Sequence, residues 1–117
     1  MSHNLSIQDN YEHVAREIDI TSLVDYILIN SFVVCTDWIN WNTSVWRGLD
    51  PSGTHKKWGF VLWDEDATFN HYINYTNVPN ENPDAYPCYP EWIYSDPLGV
   101  IDILNELLEN DEFTQYY

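Results

Sequence analysis

The chain has 117 residues, with four Lys and Arg against nineteen Asp and Glu and a formal net charge of −15; this balance repels nucleic-acid phosphates and anionic membrane surfaces and favours cations and basic polypeptides. The length bounds it to one domain, or part of one, with a moderate core. Six Trp and nine Tyr exclude a disordered acidic tail, and the longest apolar runs fall short of the roughly 18 residues of a membrane span.

Residues 1–17 are polar and read as a poorly ordered lead-in. His3 and His13 have no Cys or acidic partner at metal-ligand spacing and read as solvated surface. The opening lacks the charged start and apolar stretch of a signal peptide, so any such signal is expected upstream. Asp19 then has the chemistry of a helix N-cap, with Thr21 and Ser22 adding oxygens for the first-turn amides. Behind it Leu23, Val24, Ile27, Leu28, Phe32 and Val33 recur at helical spacing, which predicts a helix over residues 20–34.

The helical pattern breaks into Asp37-Trp38-Ile39-Asn40-Trp41-Asn42. The interval from Asp37 to Asn42 is that of the protein-kinase catalytic loop, where the Asp takes a hydroxyl proton and the Asn holds a metal. Two common residue types at a fixed interval also describe an ordinary Asx-turn. Residues 42–48 and 57–63 read as strands. The Asp50-Pro51-Ser52-Gly53 stretch between them predicts a hairpin with a long turn, which would bring Asn42 to the end of the second strand.

That end carries the richest chemistry in the chain. Phe60-Val61-Leu62-Trp63 reads as a buried strand delivering Asp64, Glu65 and Asp66 at its terminus, with Thr68 as a capping hydroxyl and Phe69 as an apolar anchor. Carboxylates on a rigid strand end suit a hard cation, since Mg²⁺ takes one or two of them beside substrate phosphates. Asp37, Asn42, Asp64 and Asp66 are therefore expected to converge.

Residues 70–97 form a long irregular stretch rich in Asn, Pro and Tyr, of the kind that is functional or unstructured. It includes a sequon at Asn74-Tyr75-Thr76. A last helix is predicted over residues 97–110, with Leu98, Ile101, Leu104, Leu107 and Leu108 as its apolar stripe and Asn110 as its stop. The segment from Glu112 onward starts a new element and suggests a longer parent. Cys35 and Cys88 match no metal spacing and read as either a disulfide or two separate buried thiols. The elements together predict an α+β fold, a small antiparallel hairpin flanked by helices.

The order of these features resembles the CotH family of spore-coat protein kinases. The family's strand motif looks like Trp-Asp-x-Asp-x-Thr-Phe-Gly, matched by Trp63-Asp64-Glu65-Asp66-Ala67-Thr68-Phe69, with Asn70 in place of the final Gly. The resemblance implies the C-terminal lobe of an atypical kinase that is secreted, cell-surface or spore-associated and transfers the γ-phosphoryl of ATP to Ser of a basic or Ser-rich protein, with Mg²⁺ or Mn²⁺. Carried over by position, Asp37 is the catalytic acid, and Asn42 with Asp64 or Asp66 holds metal. A kinase also needs a phosphate-binding lysine, and the chain has only Lys56 and Lys57, both in the hairpin, so a nucleotide-binding lobe is expected outside it and the isolated chain is expected to be inactive. The alternative is a non-enzymatic surface module that binds polysaccharide or Ca²⁺ through acids and the aromatics Trp41, Trp46, Tyr89, Trp92 and Tyr94, although core packing is the commoner fate of such aromatics.

Overall fold

A computed structural model describes residues 4–35, 38–39, 42–69, 88–93 and 96–117. His3, Asp37, Trp41, Asn70, the sequon at Asn74 and Tyr94 lie outside the described residues, as does the 70–97 stretch apart from 88–93 and 96–97. The described residues form helices α1 (Gln8–Glu17), α2 (Ile20–Phe32), α3 (Val100–Leu107) and α4 (Asp111–Tyr116), strands β1 (Ser44–Trp46) and β2 (Gly59–Val61), and a 3-10 turn at Pro90–Trp92. The fold is α+β, with one two-stranded antiparallel sheet beside the helices.

Helix α1 occupies the stretch expected to be a poorly ordered lead-in. Its apolar residues are sparse but fall on one face: Tyr11 is buried, and Val14, Ala15 and Ile18 are half-buried against the core. Asp9 in its first turn and Arg16 in its last complement the helix dipole. The chain then extends at Ile18 and pairs with Trp58: the Trp58 N–H donates to the Glu17 carbonyl at 2.7 Å and the Asp19 N–H to the Trp58 carbonyl at 2.9 Å.

Asp19 caps α2 as expected, its carboxylate accepting from the Ser22 N–H at 3.1 Å. Leu23, Val24 and Ile27 are buried, whereas Leu28 and Phe32, expected on the same stripe, are exposed, Phe32 at 80%. The buried face passes instead through Tyr26, Asn30 and Ser31. The helix closes with Cys35 N–H on the Asn30 carbonyl and Val34 N–H on the Ser31 carbonyl, the paired bonds of a Schellman end whose left-handed position usually holds glycine. Here Val34 fills it at φ 55°, a strained state for a β-branched residue.

The hairpin forms in the register Ser44↔Val61, Val45↔Phe60, Trp46↔Gly59, with strands shorter than the pattern suggested. In its connection the Asp50 carboxylate accepts from both the Ser52 N–H and hydroxyl, which holds it below the usual carboxylate range. The expectation of a buried strand fails. Phe60 and Val61 are half-buried, and Leu62 and Trp63 are 43% and 63% exposed. A two-stranded sheet presents little area, and α2 covers it chiefly through Phe60, whose ring lies 5.3 Å from that of Tyr26.

Helix α3 starts later than predicted, because Asp96 gathers its first amides: the carboxylate accepts from Val100, Ile101 and Asp102 N–H at 2.9, 2.7 and 3.1 Å. Leu98 falls in the turn before it and is exposed, while Ile101, Leu104 and Leu107 enter the core with Leu23, Ile27, Trp38 and Phe113. Cys35 is buried and Cys88 exposed, and the two do not form a disulfide.

Asn110, read from sequence as a stop, is 3% exposed and joins the two ends of the chain. Its Oδ1 caps α4 by accepting from Glu112 and Phe113 N–H, and its Nδ2 donates to the Leu5 carbonyl at 3.1 Å. Asn110→Ala loses a cap and leaves a buried carbonyl unmet, so it is expected to cost about 2–4 kcal/mol. Asn110→Asp keeps the cap and is expected to lose less. Urea denaturation midpoints check the order, and equal losses would show that the cap contributes nothing, since both variants lose the donor to Leu5.

Candidate functional site

Beyond β2 the chain passes through Leu62 and Trp63 into the acidic turn. Asp64 turns it with a left-handed backbone, φ 59°, a conformation Asp accepts better than most residues because its short polar side chain bonds locally. Thr68 Oγ1 donates to the Glu65 carbonyl at 2.9 Å and closes the turn. Ala67, 1% exposed, buries its inner side. The carboxylates of Asp64 and Asp66 stay on the surface, with Glu65 half-buried between them.

Two hydrogen bonds tie this turn to the segment after α2. Asn42 Nδ2 donates to the Asp64 carbonyl at 3.5 Å, the long limit for such a bond. The Phe69 N–H donates to the Val33 carbonyl at 2.7 Å. Phe69 itself is 67% exposed, so it holds the turn by its backbone and not as the apolar anchor expected.

The Asn42 end is fixed from α2. The Tyr26 hydroxyl lies 3.3 Å from the Asn42 carbonyl and 3.0 Å from Thr43 Oγ1, and Thr43 Oγ1 donates to the Trp38 carbonyl at 2.8 Å. The Trp38 indole, 1% exposed, meets the Tyr26 ring edge-on with centroids 5.5 Å apart. Nothing in the sequence pattern marks Tyr26 or Val33 as part of the site. A tyrosine inside a helical apolar stripe signals only core, and a backbone carbonyl leaves no trace in side-chain pattern.

Of the predicted site residues, the structure brings Asn42 to Asp64 and places Asp66 two residues further along the same turn. Asp37 lies outside the described residues. Among the described residues no three His, Cys, Asp or Glu side chains gather as a metal group. Two surface carboxylates are nevertheless the number and kind of donor that Mg²⁺ uses when phosphate and water complete its shell. Lys56 and Lys57 are exposed, in the hairpin connection, away from the Asp64 end. The aromatics expected to pack do not: Trp46, Tyr89 and Trp92 are exposed, with Tyr89 and Trp92 stacked at 4.3 Å.

A family model described as CotH kinase protein matches residues 1–117, the whole chain. The chain belongs to the CotH kinase family. No curated protein and no solved structure matches it. Membership in this spore-coat family implies a kinase reaction, hence nucleotide and metal use and a protein substrate. Among the described residues no helix is long and apolar enough to cross a membrane.

Proposed function

We propose that this chain carries the metal-binding and proton-accepting part of a CotH kinase that moves the γ-phosphoryl of ATP to a serine of a secreted or coat protein. The observation that supports it is the meeting of Asn42 with Asp64 at the mouth of the hairpin. Asp37 belongs to the segment whose ends, Val33 and Asn42, both bond to the acidic turn. In this reading the Asp37 carboxylate takes the proton of the serine hydroxyl as its oxygen attacks the γ-phosphorus, and the bond to the bridging oxygen breaks to release ADP. Asn42 with Asp64 or Asp66 holds Mg²⁺ or Mn²⁺, which when bound neutralises charge on the transferring phosphates.

Lys56 and Lys57 lie away from the Asp64 end of the hairpin, so the lysine that cradles phosphate is assigned to a nucleotide-binding lobe outside this chain. The net charge of −15 favours a basic acceptor. The test is transfer of labelled phosphate by the natural full-length protein with ATP and Mg²⁺ or Mn²⁺, offered itself and a basic Ser-rich protein. Label on serine is expected, and no incorporation into either acceptor overturns the reading.

A second reading, a polysaccharide-binding surface module, is favoured by the exposed Tyr89–Trp92 stack, since sugar rings pack on such faces. Saturable quenching of Trp fluorescence by a soluble polysaccharide, lost in Trp92→Ala, would favour it.

A further inference from the structure

The two edges of the hairpin are treated differently. Along β2 the outward Phe60 N–H and carbonyl both meet Ser22 Oγ, at 2.8 and 3.3 Å, so a helix side chain stands in for a neighbouring strand. Val45 lies opposite Phe60. In an antiparallel ladder residues directly opposite turn their backbone groups the same way, both inward or both outward. Val45 therefore aims its N–H and carbonyl at the free edge of β1, where no described residue meets them. The usual guards of such an edge, a proline, a bulge or an edge lysine, are missing from Ser44-Val45-Trp46, and Val45 is 47% exposed.

Beside that edge is an apolar groove of about 430 Å³. Val45, Trp58 and Phe60 form its sheet side and Leu98, Val100 and Ile103 its α3 side. Open backbone groups call for an extended backbone, and a groove on the same face calls for an apolar side chain. Charge supplies a direction. Asp64, Glu65 and Asp66 lie by the Asn42 end, while Arg47, stacked 4.8 Å over Trp58, and Lys56 and Lys57 lie by the turn.

We infer that the outer edge of β1 is the docking strand for the protein substrate, which adds as an antiparallel third strand. Its residue opposite Val45 exchanges both backbone hydrogen bonds with Val45 and sets an apolar side chain in the groove. Running antiparallel, the substrate reaches the Asn42 and Asp64 end about three residues C-terminal to that anchor, at roughly 3.3 Å per residue. The acceptor serine sits there, followed by basic residues against the acidic turn. Naming the occupant as substrate rests on the kinase reading; the edge and groove do not.

The probe is a fluorescein-labelled peptide Thr-Thr-Ile-Thr-Thr-Ser-Lys-Lys, its affinity for this chain read by anisotropy without ATP or metal, beside the same peptide N-methylated at Ile. Saturable binding is expected, weakened roughly tenfold by N-methylation, which removes the donor to the Val45 carbonyl. Leu98→Glu, at an exposed turn position outside the core, is expected to weaken it by a similar factor. Val45→Pro removes an N–H that the β1–β2 ladder does not use and should do the same. If that variant loses its fold by circular dichroism, the N-methyl peptide and Leu98→Glu carry the test.

No binding, or equal binding of the N-methylated peptide, overturns the proposal. Binding with this pattern but no phosphate transfer by the full-length protein leaves the docking edge standing and removes the kinase reading. Phosphate transfer to the peptide that ignores both N-methylation and Leu98→Glu keeps the kinase reading and overturns the docking edge. A sedimenting dimer abolished by Val45→Pro assigns the edge to a second copy and also overturns the substrate assignment.

Discussion

Asp64→Asn in the full-length kinase is expected to lower kcat/KM for phosphate transfer by roughly 10²–10³, the loss of several kcal/mol of metal-borne charge stabilisation in the transition state. Asn is the informative substitution because Asp64 sits at φ 59°. Asn tolerates that backbone nearly as well, whereas Ala would add strain of about 1 kcal/mol that has nothing to do with metal. In the isolated chain Mg²⁺ or Mn²⁺ should raise Tm, by the equivalent of about 2.7 kcal/mol at one hundred times Kd. Asp64→Asn and Asp66→Asn measured separately decide which carboxylate is the main ligand, the one whose loss abolishes the shift. A metal-dependent shift that survives the double substitution, with activity intact, would remove both residues from the site.

What was legible in the sequence is what short-range chemistry decides. Asp19 announces itself as a cap because the amide it accepts from is only three residues away, on Ser22. The two apolar runs with Asp50, Pro51 and Gly53 between them have little alternative to a hairpin, and the pairing of β1 with β2 follows. From that pairing alone Asn42 comes to Asp64, so the heart of the candidate site was a consequence of local pattern.

What escaped notice depends on partners far along the chain. Asn110 bonds Leu5 across the whole length of the sequence, and α1 is ordered by the core it meets at Tyr11 and by the bridge from Ile18 to Trp58. Neither is encoded in nearby spacing. Burial departs from the sequence pattern for a related reason. Leu62 and Trp63 are as apolar as any strand interior, but apolarity states what a residue would gain by being covered, not whether a second layer exists to cover it. Among the described residues the sheet has two strands with α2 against β2, and this end of it stays open. The same departure puts Leu28 and Phe32 outside: continued too far along α2, the stripe leaves the side that Tyr26 and Asn30 take into the core.

Trp38 joins fold and site, and its removal is expected to give the largest loss of stability. It is 1% exposed, lies in the core with Leu23, Ile27 and Leu104, and stands edge-on to Tyr26. Trp38→Ala leaves a cavity among these core side chains and is expected to cost about 3–5 kcal/mol. Set against a total of roughly 5–15 kcal/mol for a domain, that is a Tm drop on the order of 15 °C or more by differential scanning calorimetry. Trp38→Phe should behave quite differently. The indole Nε1 is buried with no hydrogen-bond partner among the described residues, so Phe gives up some contact area but also removes an N–H whose desolvation none of them offsets, and the net cost is expected to stay below about 1.5 kcal/mol. The Ala variant should also lose phosphate transfer below its own Tm, because Tyr26, which braces Asn42 through its hydroxyl, loses one of the two rings it packs against. A Trp38→Phe variant as damaged as Trp38→Ala would mean that the indole N–H, and not the bulk of the ring, is what this site requires.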